Sequence, residues 1–240
     1  MFLVAVFIVA ILAGAAAAVV GFGIGSLMTP LLALEFGTTT AVALVTLPHA
    51  AATAVRCWRL RAEVDRAVVR RFGLLSAAGA LAGATAYTRL GSGTLTRVLG
   101  GLLLLTAVAQ LTGWTSRLQA RGPLVALFGL LSGFFGGIAG NQGGLRSAAL
   151  TAFGLSPLAF VATATAIGLL VDAARTPVYV WHSGPVLRTL WAPIVVATVG
   201  VLIGTVVGER ILLGLSRRRF GLIIGAAIGA LGIWLLVMPL

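Results

Sequence analysis

In the stretch SGFFGGIAGNQGGLRSAAL (132–150), three side chains are suited to holding an anion. They are the amides of Asn141 and Gln142 and the guanidinium of Arg146. Arginine presents a planar fork of N–H donors that matches an oxyanion, and the amides add neutral donors beside it. Gly133, Gly136, Gly137, Gly140, Gly143 and Gly144 crowd the same stretch and break any helix that runs through it. A helix resuming at about Leu145 would aim its unpaired N–H groups at the loop, and such a helix start is itself an anion site. Gly143 and Gly144 would let a ligand approach the backbone. A plainer reading is also open: the glycines only let helices pack closely, and Arg146 reaches out to an interface.

A second stretch, GFGIGSLMTP (21–30), has the same character without the charge. Gly23 and Gly25 open the backbone, and Ser26 and Thr29 supply hydroxyls. Those hydroxyls either meet a ligand or bond back to their own helix. Asp172 and Arg175 stand three residues apart, so they share a helix face. They form either a self-neutralising pair or a gate or proton-linked switch in which Asp172 also reaches Arg146. His49, after Pro48, is either a buried, hydrogen-bonded histidine or a group that binds substrate or carries a proton. Thr46, Thr163 and Thr165 fall where the second helices of two repeats align, and they are weaker candidates for a cavity wall.

What must position these residues follows from composition. The 240 residues are 60% hydrophobic and 9% charged. A soluble domain of this size cannot hide so much apolar surface. Runs long enough to cross a bilayer, roughly 20 residues each, recur along the chain. The expected fold is therefore an all-α polytopic membrane protein. The net charge of +12 comes entirely from arginine. The arginines cluster in short links between apolar runs, as the positive-inside rule requires, so the partner is the lipid bilayer and not nucleic acid. Cys57 stands alone, which excludes an internal disulfide and a cysteine metal cluster. No metal site, cofactor motif or catalytic set is visible, and an enzyme is not expected. Residues 1–18 lack a basic start, which argues against a cleaved signal.

The chain repeats itself. Residues 79–100 match 200–221 at Gly79/Gly200, Gly83/Gly204, Arg89/Arg210 and Arg97/Arg218, among others. Residues 12–32 match 131–151 at Gly14/Gly133, Gly21/Gly140 and Gly25/Gly144. Two homologous membrane repeats result, 1–116 and 117–240. Each has a Gly-rich broken or re-entrant first helix followed by three transmembrane helices. Paired breaks at matching places in two repeats point to a transporter's binding site. If each broken segment re-enters, the halves are inverted. Arg89, Arg97, Arg175 and Arg188 then fall on one side, and every other arginine except Arg146 falls on the other. Four full crossings per half separate the arginines less well. The inverted arrangement puts both termini outside.

The two glycine-rich stretches, GFGIGSLMTP and SGFFGGIAGNQGG, resemble the sulfite exporter TauE/SafE family, the TSUP permeases, over nearly the whole chain. The resemblance implies export of small sulfur-containing anions, such as sulfite and organosulfonates, across the bacterial inner membrane. Gly23, Gly25, Ser26, Thr29, Asn141, Gln142, Gly143, Gly144 and Arg146 are the expected substrate-binding set. His49, Asp172 and Arg175 are the expected gating or proton-linked set. A small anionic substrate is the expected partner, and a homodimer is possible. The competing readings are a membrane scaffold or assembly subunit without transport and a transporter of another small organic anion.

Overall fold

The computed structural model describes residues 1–113, 122–141, 143–211 and 217–237. Helices dominate, and no strand occurs among the described residues. Among the described residues six helices are long and apolar enough to cross a membrane.

The first helix, α1 (Phe2–Val20), ends where Gly21 turns left-handed, at φ 84°. After two residues α2 (Ile24–Arg59) begins. It is two arms, because Gly37 leaves helical geometry at φ 74° and ψ 157°. The short arm, 24–36, folds back along α1. Val9 and Leu12 share an apolar groove with Leu27, Pro30 and Leu31. The rings of Phe2 and Phe36 meet edge to face at 5.5 Å. The chain therefore opens with a helical hairpin whose tip is Gly21–Gly23.

After the long arm, Asp65 caps α3 (Arg66–Val68) by accepting from the N–H groups of Ala67 and Val68 at 2.9 and 3.0 Å. A π turn, Val69–Gly73, carries α3 into α4 (Leu74–Tyr87), and α5 (Ser92–Thr112) follows. A second hairpin then forms. The helix α6 (Pro123–Ala139) ends at Gly140, φ 69°, and α7 (Gly143–Thr151) returns beside it. Val125 and Phe128 of α6 pack in one cluster with Phe153 and Leu155, so this hairpin too is closed at its base. Next come α8 (Pro157–Thr189), whose first turn is capped by Ser156, then α9 (Trp191–Ile211) and α10 (Arg217–Val237).

The two hairpins open at opposite ends of the bundle. Next to the base of the first, the Thr39 carbonyl accepts from the Tyr87 hydroxyl at 2.7 Å, and Thr38 meets Thr96 near the start of α5. The base of the second packs with Val68 and Phe72, at the other end of the α3–α4 rod. Their tips meet in the interior. Gly25 lies against the carbonyl of Gly140, and Gly143 lies against Phe22. Gly100 of α5 packs on Leu236, so α10 finishes at the same end as Phe2.

Small residues make the long contacts between helices. Gly14 of α1 presses on Val201 of α9, and Gly204 of α9 presses on Ile11. In the other pair, Gly133 of α6 presses on Ser76 of α4, and Gly79 of α4 presses on Leu130. A methyl group at any of these positions would run into backbone atoms. The matched glycines are thus the ones that seat α1 on α9 and α6 on α4.

Candidate functional site

Between the tips lies a cavity of about 10 Å³, lined by Phe22, Gly23, Gly25, Ser26, His49, Gly140, Asn141, Gly143 and Arg146. That is room for about one water molecule. Two helices start at this point, α2 at Ile24 and α7 at Gly143, and no residue with an acceptor side chain caps α2, since its N-cap is Gly23. The first N–H groups of a helix have no partner within it, and they carry partial positive charge.

Arg146 is 4% exposed. Its Nη2 donates to the Gly21 carbonyl at a long 3.4 Å. Among the described residues its Nε and Nη1 have no hydrogen-bond partner, and neither does Nδ2 of Asn141. A buried guanidinium without a carboxylate is costly, because water has been removed and nothing charged replaces it. Of the two arrangements open to Asp172, the pair with Arg175 is the one present, and Arg146 does not bond to it. The Asp172 carboxylate is already occupied. Its Oδ1 accepts from Arg175 Nε and Nη2 at 3.1 and 2.8 Å, and its Oδ2 lies 2.7 Å from His49 Nδ1.

Arg175 has a structural duty as well. Its Nη1 donates to the Gly136 carbonyl at 2.6 Å, and the neighbouring Tyr179 hydroxyl donates to the Gly137 carbonyl. Both carbonyls belong to the last turn of α6, where few further N–H groups of the helix remain to donate to them; that of Gly136 also accepts from the Gly140 N–H at 3.0 Å. A cation at that C-terminal end also opposes the helix dipole. The second tip is thereby held from behind by Arg175 and Tyr179, while Arg146 faces the cavity in front.

Of the expected binding residues, Gly23, Gly25, Ser26, Asn141, Gly143 and Arg146 converge on the cavity, and His49 joins them. Thr29 is buried away from the lining, and its Oγ1 has no partner among the described residues. Gly144 packs against Thr106 of α5. Gln142 lies outside the described residues. Asp172 and Arg175 stand behind His49. Thr46 bonds back to the Val42 carbonyl at 2.9 Å. Thr163 accepts from the Asp65 N–H at 2.9 Å and Thr165 from Arg56 Nε at 3.0 Å, so both sit toward the arginine-rich end. The sequence reading passed over Phe22, which walls the cavity, and Arg56, which is buried in a helix end that reads as a surface link.

No curated protein and no solved structure matches the chain. The family model described as sulfite exporter TauE/SafE matches residues 6–235, nearly the full length. With that match, two glycine-broken hairpins and six helices long enough to cross a bilayer, the chain belongs to the sulfite exporter TauE/SafE family of membrane transporters.

Proposed function

We propose that the protein is a secondary transporter that carries small sulfur-containing oxyanions, such as sulfite and organosulfonates, out of the cell, with the anion held between the two hairpin tips. One observation carries this reading: the buried Arg146, with Nε and Nη1 unpartnered, beside the unpartnered amide of Asn141. An anion would satisfy all three donors at once, and fixed donors in a dry site stabilise charge strongly. Backbone N–H groups at the starts of α2 and α7 complete the cradle.

A cavity of about 10 Å³ is too small for an oxyanion, so loading requires the tips to part. We take the two halves to be inverted repeats that expose the cavity to each side in turn. Hairpins that open at opposite ends support this. So does the exchange in which α1 seats on α9 and α6 on α4. The moving bodies then cannot be the sequence halves themselves, because each half's first helix is locked to the other half. Arg59, Arg61, Arg66, Arg70 and Arg71 lie at the end opposite the termini, together with Arg210 and the start of α10. The positive-inside rule makes that end cytoplasmic and puts both termini outside, in a bacterial inner membrane.

The test is flux in proteoliposomes. The wild-type protein should move labelled sulfite and methanesulfonate, and Arg146→Ala should lose at least about 100-fold of that flux. Equal flux in the variant, or none in the wild type, sinks the assignment. The second outcome would favour a scaffold.

A further inference from the structure

His49 shares the cavity wall with Arg146, and its imidazole is the side chain there that can take up a second ring proton. Its Nδ1 sits 2.7 Å from Asp172 Oδ2, with Thr53 Oγ1 farther off at 3.3 Å. Asp172 also accepts two N–H bonds from Arg175, so it is an ionised acceptor. That arrangement fixes the proton of a neutral His49 on Nδ1. The nitrogen left over is Nε2, which then carries a lone pair. A lone pair repels an anionic oxygen, whereas an N–H donates to it.

The charges facing His49 are few. From α8 come Asp172 and Arg175, and from α7 comes Arg146. On its own helix Arg56 stands about two turns further on and Glu35 lies beyond the Gly37 break. The neighbouring α1 has no charged residue, and those of α5, α9 and α10 lie near helix ends.

We propose that His49 is a second, conditional cation of the anion site: it takes up a proton on Nε2, and in that form it donates to the bound anion, so each anion carried is accompanied by one proton. This rests on the transport reading above. The proton comes from water on the side where the cavity is open and leaves on the other side, and no other bond is made or broken. A singly charged anion then crosses with its proton and moves no net charge. Direction follows the anion gradient and the pH gradient, not the membrane voltage.

The experiment uses the full-length protein and methanesulfonate, which stays singly charged over the working range and so brings no titration of its own. Binding is measured by calorimetry between about pH 5 and 8, in two buffers of different ionisation heat. The wild type should take up about one proton per anion in the upper part of that range. Its affinity should fall there by up to about tenfold per pH unit. His49→Gln should bind with a flat pH profile and no proton uptake. Sulfonate binding by the wild type without proton uptake at the alkaline end overturns the proposal, as does a wild-type pH profile in His49→Gln. The wild-type measurement decides by itself if the variant does not fold. No sulfonate binding at any pH would instead overturn the transport reading, and this one with it.

Discussion

The two hairpin tips share a backbone plan and differ in chemistry. In the register that pairs Gly21 with Gly140 and Gly25 with Gly144, Phe22 stands where Asn141 stands, and Leu27 where Arg146 stands. One tip brings an amide and a guanidinium to the cavity, and the other brings a ring. Leu27 lines an apolar groove between α1, the short arm of α2 and α10. Duplicated backbone thus supplies two helix starts facing each other, while the side chains of a single copy supply the charge. A ligand held this way would rest its charge on the second tip and its bulk against the first.

Arg146 and Leu27 give the largest expected contrast. Arg146→Ala removes the cation and should cost at least about 100-fold in flux, or about 3 kcal/mol. Leu27→Ala should leave flux near wild type and cost about 2–3 kcal/mol of stability through lost packing. Stability separates the roles further. Arg146→Met removes a buried charge that lacks an anionic partner, so the empty protein should gain about 1–4 kcal/mol against unfolding. Added methanesulfonate should raise the melting temperature of the wild type and not of this variant. If Arg146→Met destabilises the empty protein, the arginine serves the fold rather than the anion.

The meeting of the tips gives the next contrast. A methyl group on Gly25 would strike the Gly140 carbonyl, whereas one on Gly143 would strike the Phe22 side chain. Each substitution should cost about 1–3 kcal/mol. Backbone cannot be trimmed and a side chain can. The nearest atom on Phe22 is its Cβ, so the double variant Gly143→Ala/Phe22→Gly should recover part of the loss, measured as a coupling of at least about 0.5 kcal/mol in a thermal or denaturant cycle. Gly25→Ala/Phe22→Gly should show none. Equal coupling in both cycles would mean that the tips do not meet as described.

What could be read from the sequence followed from how strongly lipid constrains a chain. Apolar run lengths and arginine placement announced helices and crossings, because unsatisfied backbone and charge are both expensive in a bilayer. The matched glycines announced two breaks. Matching alone did not tell which glycines turn and which pack. Gly21 and Gly140 turn left-handed, while Gly14, Gly133 and Gly204 seat helices on one another. Nor could spacing choose a partner for Asp172. Arg175, one turn away on α8, offered itself as the pair, and whether Asp172 also reached Arg146, on another element, waited for the fold, which puts the Gly136 carbonyl and Asp172 on Arg175. Thr29 and Gly144 belonged to the right stretches, but the helix turns them off the cavity, and a stretch read as a unit hides that rotation. Phe22 was passed over because an apolar residue in an apolar chain carries no signal of its own.

Asn141 tests how much the second tip depends on its neutral donor. Asn141→Ala removes an amide whose Nδ2 is buried and unpartnered, so the empty protein loses no bond from that nitrogen. The expected loss in anion affinity is about tenfold, the value of one hydrogen bond to a charged group. Asn141→Phe would give the second tip the residue of the first, and should fall further by filling the cavity. Full affinity in Asn141→Ala would leave Arg146 and the backbone as the holding groups.

The smallest effect is expected at Thr29, on the first tip's short arm. Its hydroxyl is fully buried and has no partner, and it stands off the cavity lining. In the register that pairs Gly25 with Gly144, position 148 of the sequence is alanine, which has no hydroxyl. Thr29→Val keeps the shape and removes the orphan group, whose burial costs about 1–3 kcal/mol when nothing bonds it. The variant should be as stable as wild type or more so, by up to about 1 kcal/mol, with flux changed less than about twofold. A large loss of flux without loss of stability would show that the hydroxyl meets the anion in another state of the cycle. The first tip would then be a chemical participant, and the division between a charged tip and a wall would fail at this residue first.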